Sequence, residues 1–125
     1  MRLEEKGFIT IKNGLVHLTE KGETALARYT LEEKTHMRPK RWDKKWRVII
    51  FDINEKRKRI RESVRRMLLS FGFVRLQDSV WVYPYDCEDL IVLLKAELKI
   101  GKELLYMIVD SIENDTGLKR HFEIH

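Results

Sequence analysis

A lone carboxylate, Asp52, ends the apolar run Val48-Ile49-Ile50-Phe51, where the chain leaves a strand and turns into a helix. Such a carboxylate either caps the helix or pairs with a nearby Arg, or it ligates a divalent cation. No second carboxylate or His lies at metal-ligand spacing around it, so capping is the preferred reading. A twofold dimer changes the arithmetic. One Asp per chain becomes a pair across the axis, and such a pair could hold magnesium beside a phosphodiester.

The second candidate chemistry is cationic. The chain has 25 Lys plus Arg against 20 Asp plus Glu, and the excess is local. Between Arg38 and Arg75 stand fourteen basic residues against four acids, whereas the balance from Trp81 onward is acidic. A basic patch of this kind is the electrostatic footprint of a polyanion-binding surface, nucleic acid being the commonest partner. The candidate phosphate contacts are Lys40, Arg41, Lys44 and Lys45, with Lys58, Arg59, Arg65 and Arg66 further on. Trp42, among the first four, serves either stacking on a base or packing. Trp46 and Trp81 lie in or beside strands and read as packing.

Other reactive residue types carry less. Cys87 has no partner cysteine and no base beside it, and Asp86, Glu88 and Asp89 around it would raise a thiol pKa, so an inert thiol is expected. One unpaired cysteine places the chain in a reducing compartment, the cytoplasm. The four histidines are scattered and read as surface residues. No apolar run is long enough to cross a membrane, and Met1 is followed by charge rather than a signal-peptide core.

The elements that must position these groups fall into three segments: 1–30, 31–45 and 46–125. In the first, Asn13-Gly14 between short strand-like stretches predicts a hairpin, and Thr19 caps a helix carrying Ala25, Leu26 and Ala27, although Gly22 weakens it. Residues 31–45 are polar, contain Pro39 and lack a core period, which predicts a basic linker. Residues 46–110 predict strand 47–53, helix 55–71, strand 73–77, strand 79–83, helix 87–99 and strand 104–110, an α+β ferredoxin-like β-α-β-β-α-β sandwich. The first of these helices places Ile60, Val64, Met67, Leu68 and Phe71 on one stripe and Lys58, Arg59, Glu62, Arg65 and Arg66 opposite.

Both helices of that sandwich cover one sheet face, yet the strands are apolar on both. Val48 and Ile50 alternate with Ile49 and Phe51; Leu104, Tyr106 and Ile108 alternate with Leu105, Met107 and Val109. Something must therefore cover the helix-free face. A second copy is the economical cover, with a last short strand near Lys119 to Ile124 crossing to the partner; residues 1–30 are the competing cover.

Phe51-Asp52-Ile53, the Arg-rich helix, Phe71-Gly72-Phe73 and Gln77-Asp78-Ser79-Val80-Trp81 together resemble the middle domain of phenylacetate-degradation (PaaX-like) transcriptional repressors. They also resemble the related ferredoxin-like second CRISPR-associated protein, the adaptation endonuclease. The hairpin and helix of residues 1–30 resemble the wing and last helix of a winged-helix domain, a winged-helix remnant without the reader helices, since only six residues precede Gly7. From the endonuclease, the resemblance implies a face-to-face homodimer and a metal-ligating Asp52. The expected function is a dimeric nucleic-acid-binding protein, a PaaX-like regulator or adaptor on duplex DNA, needing no cofactor for binding. The alternative is a magnesium-dependent endonuclease of the CRISPR-adaptation type with Asp52 as metal ligand, and a third reading is a dimeric interaction scaffold without nucleic-acid affinity.

Overall fold

The computed structural model describes residues 2–31 and 41–125. A short helix α1 (Arg2–Glu5) leads into a hairpin, β1 (Ile9–Lys12) and β2 (Leu15–Leu18), followed by helix α2 (Glu20–Leu31). The hairpin turns at Asn13 and Gly14, both at positive φ, which is why this dipeptide specifies it. Thr19 caps α2 as expected: its Oγ1 accepts from the Gly22 N–H at 3.0 Å and donates to the Phe8 carbonyl at 2.9 Å. Gly22 is a requirement here, not a weakness, because a Cβ on it would be driven into the Phe8 carbonyl oxygen.

The chain then runs β3 (Trp46–Phe51), a 3-10 turn (Glu55–Arg57), α3 (Lys58–Phe71), β4 (Val74–Gln77), β5 (Val80–Tyr83), α4 (Glu88–Leu98), β6 (Leu104–Val109) and α5 (Thr116–Phe122). The four strands from β3 to β6 form one sheet in the order β4-β5-β3-β6, antiparallel throughout. This is the ferredoxin-like α+β arrangement expected, with β4 and β6 as its outer strands. A bulge between Arg75 and Gln77 interrupts the β4 edge.

Strand alternation feeds two cores, one on each face of the sheet. On the helix-bearing face, Ile49, Phe51, Trp81 and Leu104 pack with Val64, Leu68 and Phe71 of α3 and with Leu90, Ile91 and Leu94 of α4. Leu3, Ile9 and Leu26 join this same core. Residues 2–31 therefore extend the helix layer and do not cover the helix-free face, correcting one of the two expected covers. On the helix-free face, Trp46, Val48 and Val82 pack against Leu118 and Phe122 of α5.

The segment near Lys119 to Ile124, expected as a crossing strand, is thus mostly a helix of the same chain. Leu118 and Phe122 stand one helical turn apart and face one way, the i, i+4 spacing that lines up on one side of a helix. Trp46 Nε1 donates to Asp115 Oδ2 at 3.1 Å, fixing the start of α5; Glu123, in the left-handed region, ends it with its N–H on the Arg120 carbonyl. The cover is partial. At the far end of the same face Ile50 (37% exposed) and Leu105 (55%) remain open, paired in register with each other.

Candidate nucleic-acid interface

Asp52 follows β3 directly; it is exposed, and its own N–H is held by the Glu103 carbonyl at 2.8 Å. Its carboxylate makes no hydrogen bond or ion pair to any described residue. The cap expected of it belongs to Asn54, whose Oδ1 accepts from the Lys56 N–H at 2.9 Å at the start of the 3-10 turn. The neighbouring Arg57 pairs with Glu103 at 2.8 Å instead. Asp52 is left facing solvent beside the Ile50 and Leu105 row, and among the described residues no group of three His, Cys, Asp or Glu side chains could hold a metal ion.

The cationic residues separate onto two sides of the sheet. On the helix layer, Lys58, Arg59 and Arg66 are exposed and Arg65 is half-buried, tied to Glu62 at 3.0 Å. Arg66 donates to Ser63 Oγ at 3.2 Å and lines a groove with Glu23 and Glu97. On the other side, Arg41, Lys44 and Lys45 are exposed ahead of β3; Lys40 lies outside the described residues. Trp42 is half-buried against Trp46, ring centroids 4.8 Å apart, and its Nε1 donates to the Lys45 carbonyl at 2.8 Å. Packing therefore accounts for one side of this indole.

Its environment also gathers charge that the linear sequence keeps apart. Lys44 Nζ lies 5.7 Å and Lys119 Nζ 5.9 Å from the Trp42 ring centroid, in cation–π range. Sequence reasoning missed Lys119 and its exposed neighbour Arg120, because a strand crossing to a partner would carry them away from Trp42. The one-turn spacing of Leu118 and Phe122 is the signal that places them on a helix docked beside it.

Two acids in this region, Asp43 and Asp115, are paired, while Glu123 is exposed with no ion pair among the described residues. Asp43 forms a fork with the buried Arg47 guanidinium, at 2.8 and 2.7 Å, and the same guanidinium donates to the Lys45 and Pro84 carbonyls. The side-chain hydrogen bond from Arg47 holds the Asp43 carboxyl below its ordinary value. Asp115 lies 3.6 Å from Lys119. Lys44 Nζ also donates to the His125 carbonyl and Lys119 is the partner of Asp115, so the cations here with no partner among the described residues are Arg41, Lys45 and Arg120.

A family model, the PaaX protein central Cas2-like domain, matches residues 39–119, about two thirds of the chain. The chain belongs to this PaaX central-domain family. No curated protein matches it. The matched span of the PaaX central domain contains β3 to β6 with α3 and α4, and it ends inside α5, so Trp42, Lys44, Asp52 and Lys119 all fall within it.

Cys87 is no rival centre in this domain. It is buried, with its Sγ 3.8 Å from the Tyr106 hydroxyl, and burial pushes the thiol up to about 12. Desolvation, rather than the neighbouring acids, is the main cause; only Asp86 adds to it.

Proposed function

We propose that this chain is a dimeric nucleic-acid-binding regulator of the PaaX type, in which the ferredoxin-like sheet serves dimerisation and a basic surface holds the phosphates of duplex DNA. The observation that carries the reading is the meeting of Lys44 and Lys119 at Trp42, with Arg41, Lys45 and Arg120 exposed close by in sequence. Cations converging from two distant points of the chain suit a phosphate backbone. The open row of Ile50 and Leu105 supports the dimer, since an apolar sheet face beside solvent is stabilised by a second such face. The hairpin β1–β2 and α2 fit the wing and following helix of a winged-helix unit.

The test is the salt dependence of duplex binding. Log affinity should fall linearly with log salt, and Lys44→Ala with Lys119→Ala should lower that slope by roughly 2, equally for unrelated sequences. Arg65→Ala with Arg66→Ala should lower it less, because Glu62 holds Arg65 at 3.0 Å, closer than Asp115 lies to Lys119 at 3.6 Å. Binding that ignores salt would point to a protein scaffold instead.

A second reading, a magnesium-dependent endonuclease, is favoured by one observation: Asp52 is exposed and has no partner among the described residues. One chain supplies one carboxylate there, which does not make a magnesium site alone, so this reading stands only with the dimer. Cleavage that requires magnesium or manganese and vanishes in Asp52→Ala would establish it.

A further inference from the structure

A groove of about 430 Å³ lies between β2 and the last turns of α4. Its walls are apolar: Leu15 and Val16 from the hairpin, Val92 and Ala96 from the helix, and Ile100 just beyond it. Its polar side chains are Lys95, Lys99 and His17, and no carboxylate lines it. The volume falls in the range of ordinary small-molecule sites, which are mostly apolar with a few placed polar groups.

Lys95 gives the groove its chemistry. It is half-buried on α4, and its ammonium has no hydrogen bond or ion pair to any described residue. The carboxylate that acts on it, Glu103, is engaged by Arg57 at 2.8 Å and by the Gly101 N–H at 3.0 Å. Burial lowers the Lys95 pKa, as expected for a cation with less water than it needs. A partly desolvated ammonium with no direct hydrogen-bond or ion-pair partner, set in an apolar wall, is stabilised by an anion whose remaining surface is apolar.

We propose that this groove binds a small amphipathic monocarboxylate, its carboxylate on Lys95 and its apolar body between Leu15, Val16, Val92 and Ile100. A monocarboxylate fits better than a phosphate ester because Lys95 is the groove's one half-buried ammonium and Lys99 beside it is exposed to water. Such a ligand would bridge the hairpin to the ferredoxin-like domain.

Octanoate is the probe, with octanol as the uncharged control, and binding is read by titration calorimetry on the full chain. Octanoate should bind saturably to one site and octanol should not. Lys95→Met should weaken octanoate at least about tenfold, and Lys95→Arg should retain it. Val16→Glu, at a surface position, should abolish octanoate binding by placing a negative charge in the apolar wall. Absence of octanoate binding, equal binding of octanol, or unchanged affinity in Lys95→Met or in Val16→Glu would overturn the proposal.

Discussion

At the scale of single residues, the region after β3 divides two tasks between two neighbours. Asn54 holds the turn and Asp52 does not, so their substitutions should separate cleanly. Asn54→Ala should cost about 1 kcal/mol in denaturant unfolding, the usual loss for a cap, whereas Asp52→Ala should leave stability within a few tenths. An equal loss in both would return the cap to Asp52. Asp43 gives a second residue-level expectation. Its carboxyl is held below the ordinary value near 3.8 by Arg47, so its stabilising contribution is present above that value and is lost as pH falls through the lowered one. The stability gap between wild type and Asp43→Asn should therefore be flat from about pH 5 to 8 and close only below roughly pH 4. A gap that varies around neutral pH would mean that another group governs it.

At the scale of elements, α5 is the departure that matters most. Phe122 and Leu118 close the core over Trp46, Val48 and Val82, so Phe122→Ala should cost about 3 to 5 kcal/mol, as for a buried aromatic elsewhere. If α5 were a loosely held tail, that substitution would change little in thermal unfolding. The β-α-β-β-α-β order was legible because each element carries its own period, from the apolar run of β3 to the stripe of Val64, Leu68 and Phe71. The hairpin was legible because Asn13-Gly14 adopts positive φ at low cost. α5 was not: seven residues containing Gly117 give two apolar positions and no N-terminal side-chain cap, too little local signal to outweigh the expectation of a strand. The role of Gly22 was equally hidden, since its reason is the Phe8 carbonyl, fourteen positions back in the chain. The cluster at Trp42 could not be read for the same reason. Its charges come from both ends of the domain, and only the docking of α5 brings them together.

For the whole molecule, the sheet faces decide what the chain does with a second copy. α5 uses one half of the helix-free face and leaves Ile50 and Leu105 on the other. Light scattering at roughly tens of micromolar should give twice the chain mass, and Leu105→Glu should return the monomer with little change in thermal midpoint, because Leu105 is exposed in one chain. A monomeric wild type would remove the dimer from the proposed function and the endonuclease reading with it. The two outer strands differ in a way that bears on colloidal behaviour. β6, Leu104 to Val109, has no charged residue and an unpaired outer edge, whereas β4 carries Arg75 and a bulge on its own. Open edges recruit further strands, and charge and bulges are what discourage it. Within the four-stranded sheet β6 is thus the outer strand open to recruitment, so growth through that sheet's edges would stop at two copies instead of running on into a fibre.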